Sequence, residues 1–254
     1  MQVQRNWMPW VQVPASELLE TLQQMKWQKT MGKSTARDVA ALMVYVVLLF
    51  LRTERVANRP MTNAEWLLGG QGGEEDGEVL VTEREYVADA TYDDLEHLTG
   101  LSRSLISQGL ARLIELGRIN TAGTNQKRIY VLRWPDLSGR WFKLPCRALV
   151  GGGQTGIAAF KTFTLRSKHE LNALKLYLYL ASVRDNLKQF SEVSYELIHQ
   201  RIGISERDIR RAINVLTASG LLARVHRDTD RLSNMWGPNQ YYLAGYRDLA
   251  REAA

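Results

Sequence analysis

A single cysteine, Cys146, stands among the 254 residues, so no intrachain disulfide can form. That usage fits a reducing compartment and a small core side chain rather than a nucleophile. Four histidines, His97, His169, His199 and His226, are scattered through the chain. None falls in a His-Glu-x-x-His or Cys/His pattern, so no metal site is expected. No Gly-x-Ser-x-Gly elbow and no paired-carboxylate signature occurs. Tyrosines at 177, 179, 241 and 242 lack the His-x-His pair that a tyrosine nickase would need. The Gly-rich stretches 69–78 and 151–156 lack the lysine of a phosphate loop, and the first is acidic, so it would repel phosphate. It is expected to be a flexible loop, and 151–156 a turn. The longest apolar run, Val39 to Leu51, has thirteen residues between Asp38 and Arg52, too few to span a bilayer. The N-terminus shows no apolar signal-peptide core, so a cytoplasmic protein is expected. These absences point away from an enzyme, a cofactor protein or a membrane protein.

What is present is a helix-turn-helix pattern. Tyr92 to Ile119 reads YDDLEHLTGLSRSLISQGLARLIELGRI. Leu95 and Leu98 share one face of a short helix. Gly100 can end it in the left-handed conformation, Leu101 plugs the corner, and Ser102 can cap the next helix. Leu105, Ile106, Leu110, Leu113 and Ile114 then recur at helical spacing up to Gly117. The opposite face carries Arg103, Ser104, Ser107, Gln108 and Arg112. Strand-like residues 129–132 follow a polar turn, making a hairpin with Lys127 and Arg128 near its tip. Helix-turn-helix plus a basic hairpin is the pattern of a winged helix, which can lay its second helix in a major groove.

The pattern occurs twice. Tyr195 to Leu222 aligns without a gap, 103 residues on, matching Gly100 with Gly203, Ser102 with Ser205 and Gly117 with Gly220. Upstream, Trp10-Val-Gln-Val-Pro14 is similar to Trp141-Phe-Lys-Leu-Pro145, and residues 38–45 to 170–177. Such internal similarity sets the domain plan. It predicts a mainly α protein with small β-hairpin wings, built as two tandem winged-helix domains at 1–136 and 137–254. The first carries an insertion at about 55–90, in which 78–82 can be a strand edging the wing. A short linker at 133–141 implies that the domains pack closely, and Lys26, Lys29 and Lys33 belong to a basic connecting segment.

Charge divides unevenly between the halves. Residues 1–140 hold 16 Lys/Arg against 17 Asp/Glu, a balance of −1; residues 141–254 hold 17 against 10, a balance of +7. In the second copy Arg207, Arg210, Arg211 and Asn214 fall at i, i+3, i+4 and i+7, on one helix face. Arg can pair bidentately with guanine and Asn with adenine. Arg224, His226, Arg227 and Arg231 on the second wing can follow phosphates. The second half is therefore the expected main grip on DNA. The apolar run at 39–51 must be buried on all sides. It is read either as the central helix of the first half or as that helix plus a homodimer surface.

The segments 98–119 and 202–216, together with the aromatic-x-x-Val/Leu-Pro-x-x-x-Leu openings at Trp10 and Trp141, resemble replication-initiation proteins of plasmids and phages. The first segment also resembles the reading helix of MarR-like and GntR-like regulators. The initiator resemblance implies a two-domain chain whose winged helices bind successive major-groove faces of a repeated origin site, and whose dimers repress their own gene. The acidic insertion departs from that pattern. The implied partners are double-stranded DNA and the replication or partition machinery, with the protein on a bacterial nucleoid or plasmid. Two alternatives stay open: a transcriptional regulator without a replication role, and a winged-helix adaptor docking a helicase or ParA-like ATPase.

Overall fold

The computed structural model describes residues 7–15, 17–27, 36–60, 73–75, 78–123, 128–133, 140–151, 156–229 and 236–249. The first half runs β1 (Trp10–Pro14), α1 (Leu18–Gln24), α2 (Arg37–Leu51), β2 (Arg52–Pro60), β3 (Gly73–Glu75), β4 (Glu78–Asp89), α3 (Tyr92–Thr99), α4 (Arg103–Glu115), β5 (Ile119–Gly123) and β6 (Arg128–Leu132). The second half runs β7 (Trp141–Pro145), α5 (Arg147–Val150), α6 (Ala158–Lys161), α7 (Lys168–Val183), β8 (Ser191–Val193), α8 (Tyr195–Ile202), α9 (Glu206–Ala218), β9 (Leu222–Thr229), β10 (Trp236–Leu243) and α10 (Tyr246–Leu249).

The turn chemistry is local and falls where the side chains dictate. Gly100 and Gly203 cap α3 and α8 at φ 74° and 68°, a region cheap only for glycine. Ser102 and Ser205 then accept hydrogen bonds from the Leu105 and Asp208 amides, satisfying donors at the starts of α4 and α9. Leu101 and Ile204 are buried at the two corners. After each second helix an antiparallel pair follows, β5–β6 in the first half and β9–β10 in the second.

The α2 helix is sealed inside the chain: every residue from Asp38 to Leu51 is buried. It packs on α4, α7, α3, β4 and β1. No face of it is left for a second copy, so the apolar run is accounted for within the chain and gives no support to a homodimer surface there. Gly109 marks the closest crossing of α2 and α4, since a Cβ there would lie 3.0 Å from the Ala40 carbonyl carbon and the Ala41 nitrogen.

The expected insertion is largely sheet. β2 pairs with β4 in antiparallel register from Arg52↔Ala88 to Pro60↔Leu80, and β4 continues onto β6, giving the order β2-β4-β6-β5 with β3 on β4. Within the stretch read as a flexible loop, Gly73–Glu75 form β3; residues 69–72 and 76–77 lie outside the described residues. Cross-strand ion pairs join β2 and β4 near the middle of the ribbon, Arg55–Glu85 at 2.7 Å and Arg84–Glu54 at 3.4 Å.

The halves are interleaved. β1 and β7, the two Trp-x-x-x-Pro strands, pair with each other: Trp10↔Pro145, Gln12↔Lys143, Pro14↔Trp141. The rings of Trp10 and Trp141 stack at 6.2 Å, and the Lys143 ammonium lies 4.5 Å from the Trp10 ring centroid. Each half also lends its opening segment to the other. α1 packs on α8, with Gln23 donating to the Arg201 carbonyl at 2.9 Å. In return, the Ile157 amide donates to the Leu98 carbonyl of α3 at 2.9 Å, and a Cβ on Gly156 would overlap the His97 carbonyl oxygen. One continuous apolar core results, running from Val11 to Leu249.

Two buried polar groups follow from this interleaving. Cys146 is 1 % exposed, and burial pushes its thiol up to about 12, so it stays protonated at neutral pH. Lys175 on α7 is 5 % exposed and donates to the Met25 carbonyl at 3.2 Å. Burial pulls its pKa from the ordinary 10.5 to about 8, partly offset by the Asp38 carboxylate and reinforced by Lys26. Because the folded value lies below the unfolded one, the unfolded chain holds more protons between pH 8 and 10.5. This lysine's contribution therefore improves as pH rises through that window and falls away as pH drops through 8. Urea unfolding of the wild type and Lys175→Met across pH 7.5–10.5 should show the wild type gaining about 3 kcal/mol on the variant. The comparison cancels the opposite trend of Cys146 and Tyr45, whose raised values destabilise the fold at high pH. A constant difference between the two proteins would contradict the burial of a charged lysine.

Candidate nucleic-acid interface

The α9 helix carries its apolar residues Ile209, Ala212 and Leu216 inward and presents Arg207, Arg210, Arg211 and Asn214 outward, all exposed. Arg207 and Arg210 make no ion pair among the described residues. Two carboxylates lie in the first turn of α9: Glu206 is exposed, and Asp208 is turned back toward α7. It accepts from Lys168 at 3.0 Å and from the Ser205 hydroxyl at 3.0 Å. Burial alone would raise its pKa, but the Lys168 and Ser205 hydrogen bonds outweigh that and hold it below the usual carboxylate value. Its negative charge is thus satisfied from behind. Arg211 lies 4.0 Å from Asp208 Oδ1 and 3.4 Å from His169 Nε2, with its side chain 45 % exposed. Burial, then the Arg211 charge, lowers the His169 pKa, which favours the neutral ring. The face therefore offers three guanidinium groups and one amide.

Lys168 and His169 were not legible as neighbours of this helix from composition or charge. A usable signal existed in Ser167-Lys168-His169-Glu170, a capping-box pattern that marks a helix start. Ser167 and Glu170 do form that box, and it brings the first turn of α7 alongside α9.

On the β9–β10 pair, Arg224 is exposed and its guanidinium lies 3.9 Å from the Tyr242 ring centroid. Tyr242 in turn packs on Phe190 and Tyr246. The cation is fixed on the outer face of the sheet by a cation–π contact. His226 is exposed on β9. The Arg227 side chain and Arg231 lie outside the described residues.

The first half is electrically quieter. Arg103, Ser104 and Ser107 are exposed on α4. Arg103, however, is ion-paired with Asp93 and sits 3.6 Å from Glu96, both on the preceding helix. Gln108 is half-buried and donates to the Ser104 hydroxyl at 3.3 Å. Arg128 is exposed, 5.8 Å from the Tyr92 ring centroid, and Lys127 lies outside the described residues. Arg112 is not on the outward face. Its guanidinium turns inward to Asp38 at 2.9 Å, to the Gln24 carbonyl at 3.1 Å and to Glu115 at 3.2 Å. The polar-face expectation for Arg112 is corrected by a carboxylate that the fold, not the local sequence, brings to it.

Among the described residues no group of three or more His, Cys, Asp or Glu side chains is placed to hold a metal ion, and no helix is long and apolar enough to cross a membrane. Comparison with known proteins finds a helix-turn-helix domain family matching residues 170–222, from the first turn of α7 through α8 and α9 to the start of β9. No curated protein and no solved structure matches the chain. The matched stretch contains the whole cationic face of α9, so the chain carries a helix-turn-helix domain similar to that family at 170–222.

Proposed function

We propose that this chain is a sequence-specific double-stranded DNA-binding protein, made of two winged-helix modules that read duplex DNA together, and that it initiates or controls replication on a plasmid, phage or other mobile element. The observation that carries the DNA reading is the outward face of α9, with Arg207, Arg210, Arg211 and Asn214 on a helix inside the matched domain. Guanidinium forks and an amide at that spacing suit guanine and adenine edges in the major groove. α9 is the main reader and α4, whose Arg103 is already paired, the weaker one. The replication role rests on the resemblance of 98–119 and 202–216 to initiators, and ranks above a regulator on that ground alone.

Selection of bound duplexes from a random pool, at physiological salt, tests the proposal. Enrichment of direct repeats supports an initiator. An inverted repeat lying over a promoter replaces that role with transcriptional regulation. No enriched sequence at all would reject DNA reading and favour an adaptor whose wings dock protein.

A further inference from the structure

Four consecutive residues at the end of α1 are each gripped by a different helix. The Gln23 side chain donates to the Arg201 carbonyl on α8 at 2.9 Å. The Gln24 carbonyl accepts from Arg112 on α4 at 3.1 Å. The Met25 carbonyl accepts from Lys175 on α7 at 3.2 Å. The Lys26 amide donates to Asp38 on α2 at 2.9 Å, and that carboxylate also takes Arg112 at 2.9 Å. Met25 itself is fully buried. Two of these helices belong to the first half and two to the second, and they include α4, a candidate reading helix.

We infer that residues 23–26 are the joint that sets the two reading helices at a fixed separation, with Arg112, Asp38 and Lys175 acting as positioning residues. The chemistry suits a joint rather than a generic contact. A helix end leaves carbonyls without intrahelical partners, and here Arg112 and Lys175 satisfy two of them with charged donors. Asp38 lies in the first turn of α2, where the helix dipole favours a carboxylate. Rotating α4 relative to α7 would break the Arg112 or the Lys175 hydrogen bond and leave a buried charge unpaired, which is costly. Among the described residues this charged pair is not repeated in the second half: the position matching Arg112 is Val215, and Glu170, matching Asp38, is spent on its own loop amides at Thr164, Arg166 and Ser167.

The inference rests on the composite reading proposed above, and its test separates the two. Binding of the full chain is measured on the selected duplex and on duplexes with one to five base pairs inserted between its two subsites. Two rigidly linked readers gain an effective concentration that a wrong spacing removes, so the wild type should lose about 100-fold on insertion. Lys175→Met, and the double variant Asp38→Leu/Arg112→Leu, should lose about tenfold or less, with unchanged affinity for either subsite alone. A residue that merely stabilised the fold would not move this spacing ratio. Lys175→Met exchanges a buried ammonium for an apolar chain of similar length, so it keeps the test open if the double variant does not fold. Variants that lose as much on insertion as the wild type overturn the joint alone. A wild type indifferent to spacing overturns the joint together with the composite reading.

Discussion

Alanine at both Arg207 and Arg211 should lower affinity for the selected duplex by about 100-fold, while each single change costs about tenfold or more. The two side chains lie one turn apart on α9 and are both exposed, and no strong carboxylate partner competes with DNA for either. A bidentate arginine–guanine pair contributes about 1–3 kcal/mol of discrimination, so losing one should relax sequence preference as well as weaken binding. The pair need not be additive, because neighbours that share a groove couple. Arg103→Ala serves as the contrast. Its guanidinium is already held by Asp93 and Glu96 and should matter less. Fluorescence anisotropy at fixed salt reads all three. If both α9 variants bind like the wild type while Arg103→Ala abolishes binding, α4 is the main reader and the ranking is reversed.

Arg112→Leu should destabilise the fold by about 3 kcal/mol, and restoring balance with Asp38→Leu should recover more than half of that. The reason is asymmetry. Asp38 is 7 % exposed and, with Arg112 gone, keeps only the Lys26 amide and the nearby Lys175 charge. A buried charge stripped of its partner costs more than the pair contributes when both are replaced by apolar groups. Urea denaturation of the single and double variants checks this. Equal loss in both variants would mean that Arg112 acts through packing rather than through the carboxylate.

How far the sequence disclosed this depends on the range of each interaction. The caps and corners were legible because their causes are local: Ser102 and Ser205 reach amides three residues on, and Gly100 and Gly203 take a backbone conformation available to them by themselves. The buried α2 was legible because a helix apolar all round has no other place to go. The pairing of β1 with β7 was not, since the register joins residues 127 or more apart and nothing in either Trp-x-x-x-Pro strand names its partner. Arg112 shows the limit within the site itself. Helical periodicity puts it next to Leu113, at the border of the polar face, from which it can turn either way. Asp38, 74 residues upstream, decides the direction. The ribbon strand β2 escaped notice for a different reason. Arg52 to Ala57 lack the alternation of a half-buried strand, because Thr53 to Val56 are all exposed and only pairing with β4 defines the strand.

Hydroxyl-radical footprinting of the full chain on its selected duplex, at physiological salt, tests the central claim most directly. The account predicts two protected segments on one duplex, one of which disappears first when Arg207 and Arg211 are both alanine. A duplex left uniformly cleaved by the wild-type chain would contradict it.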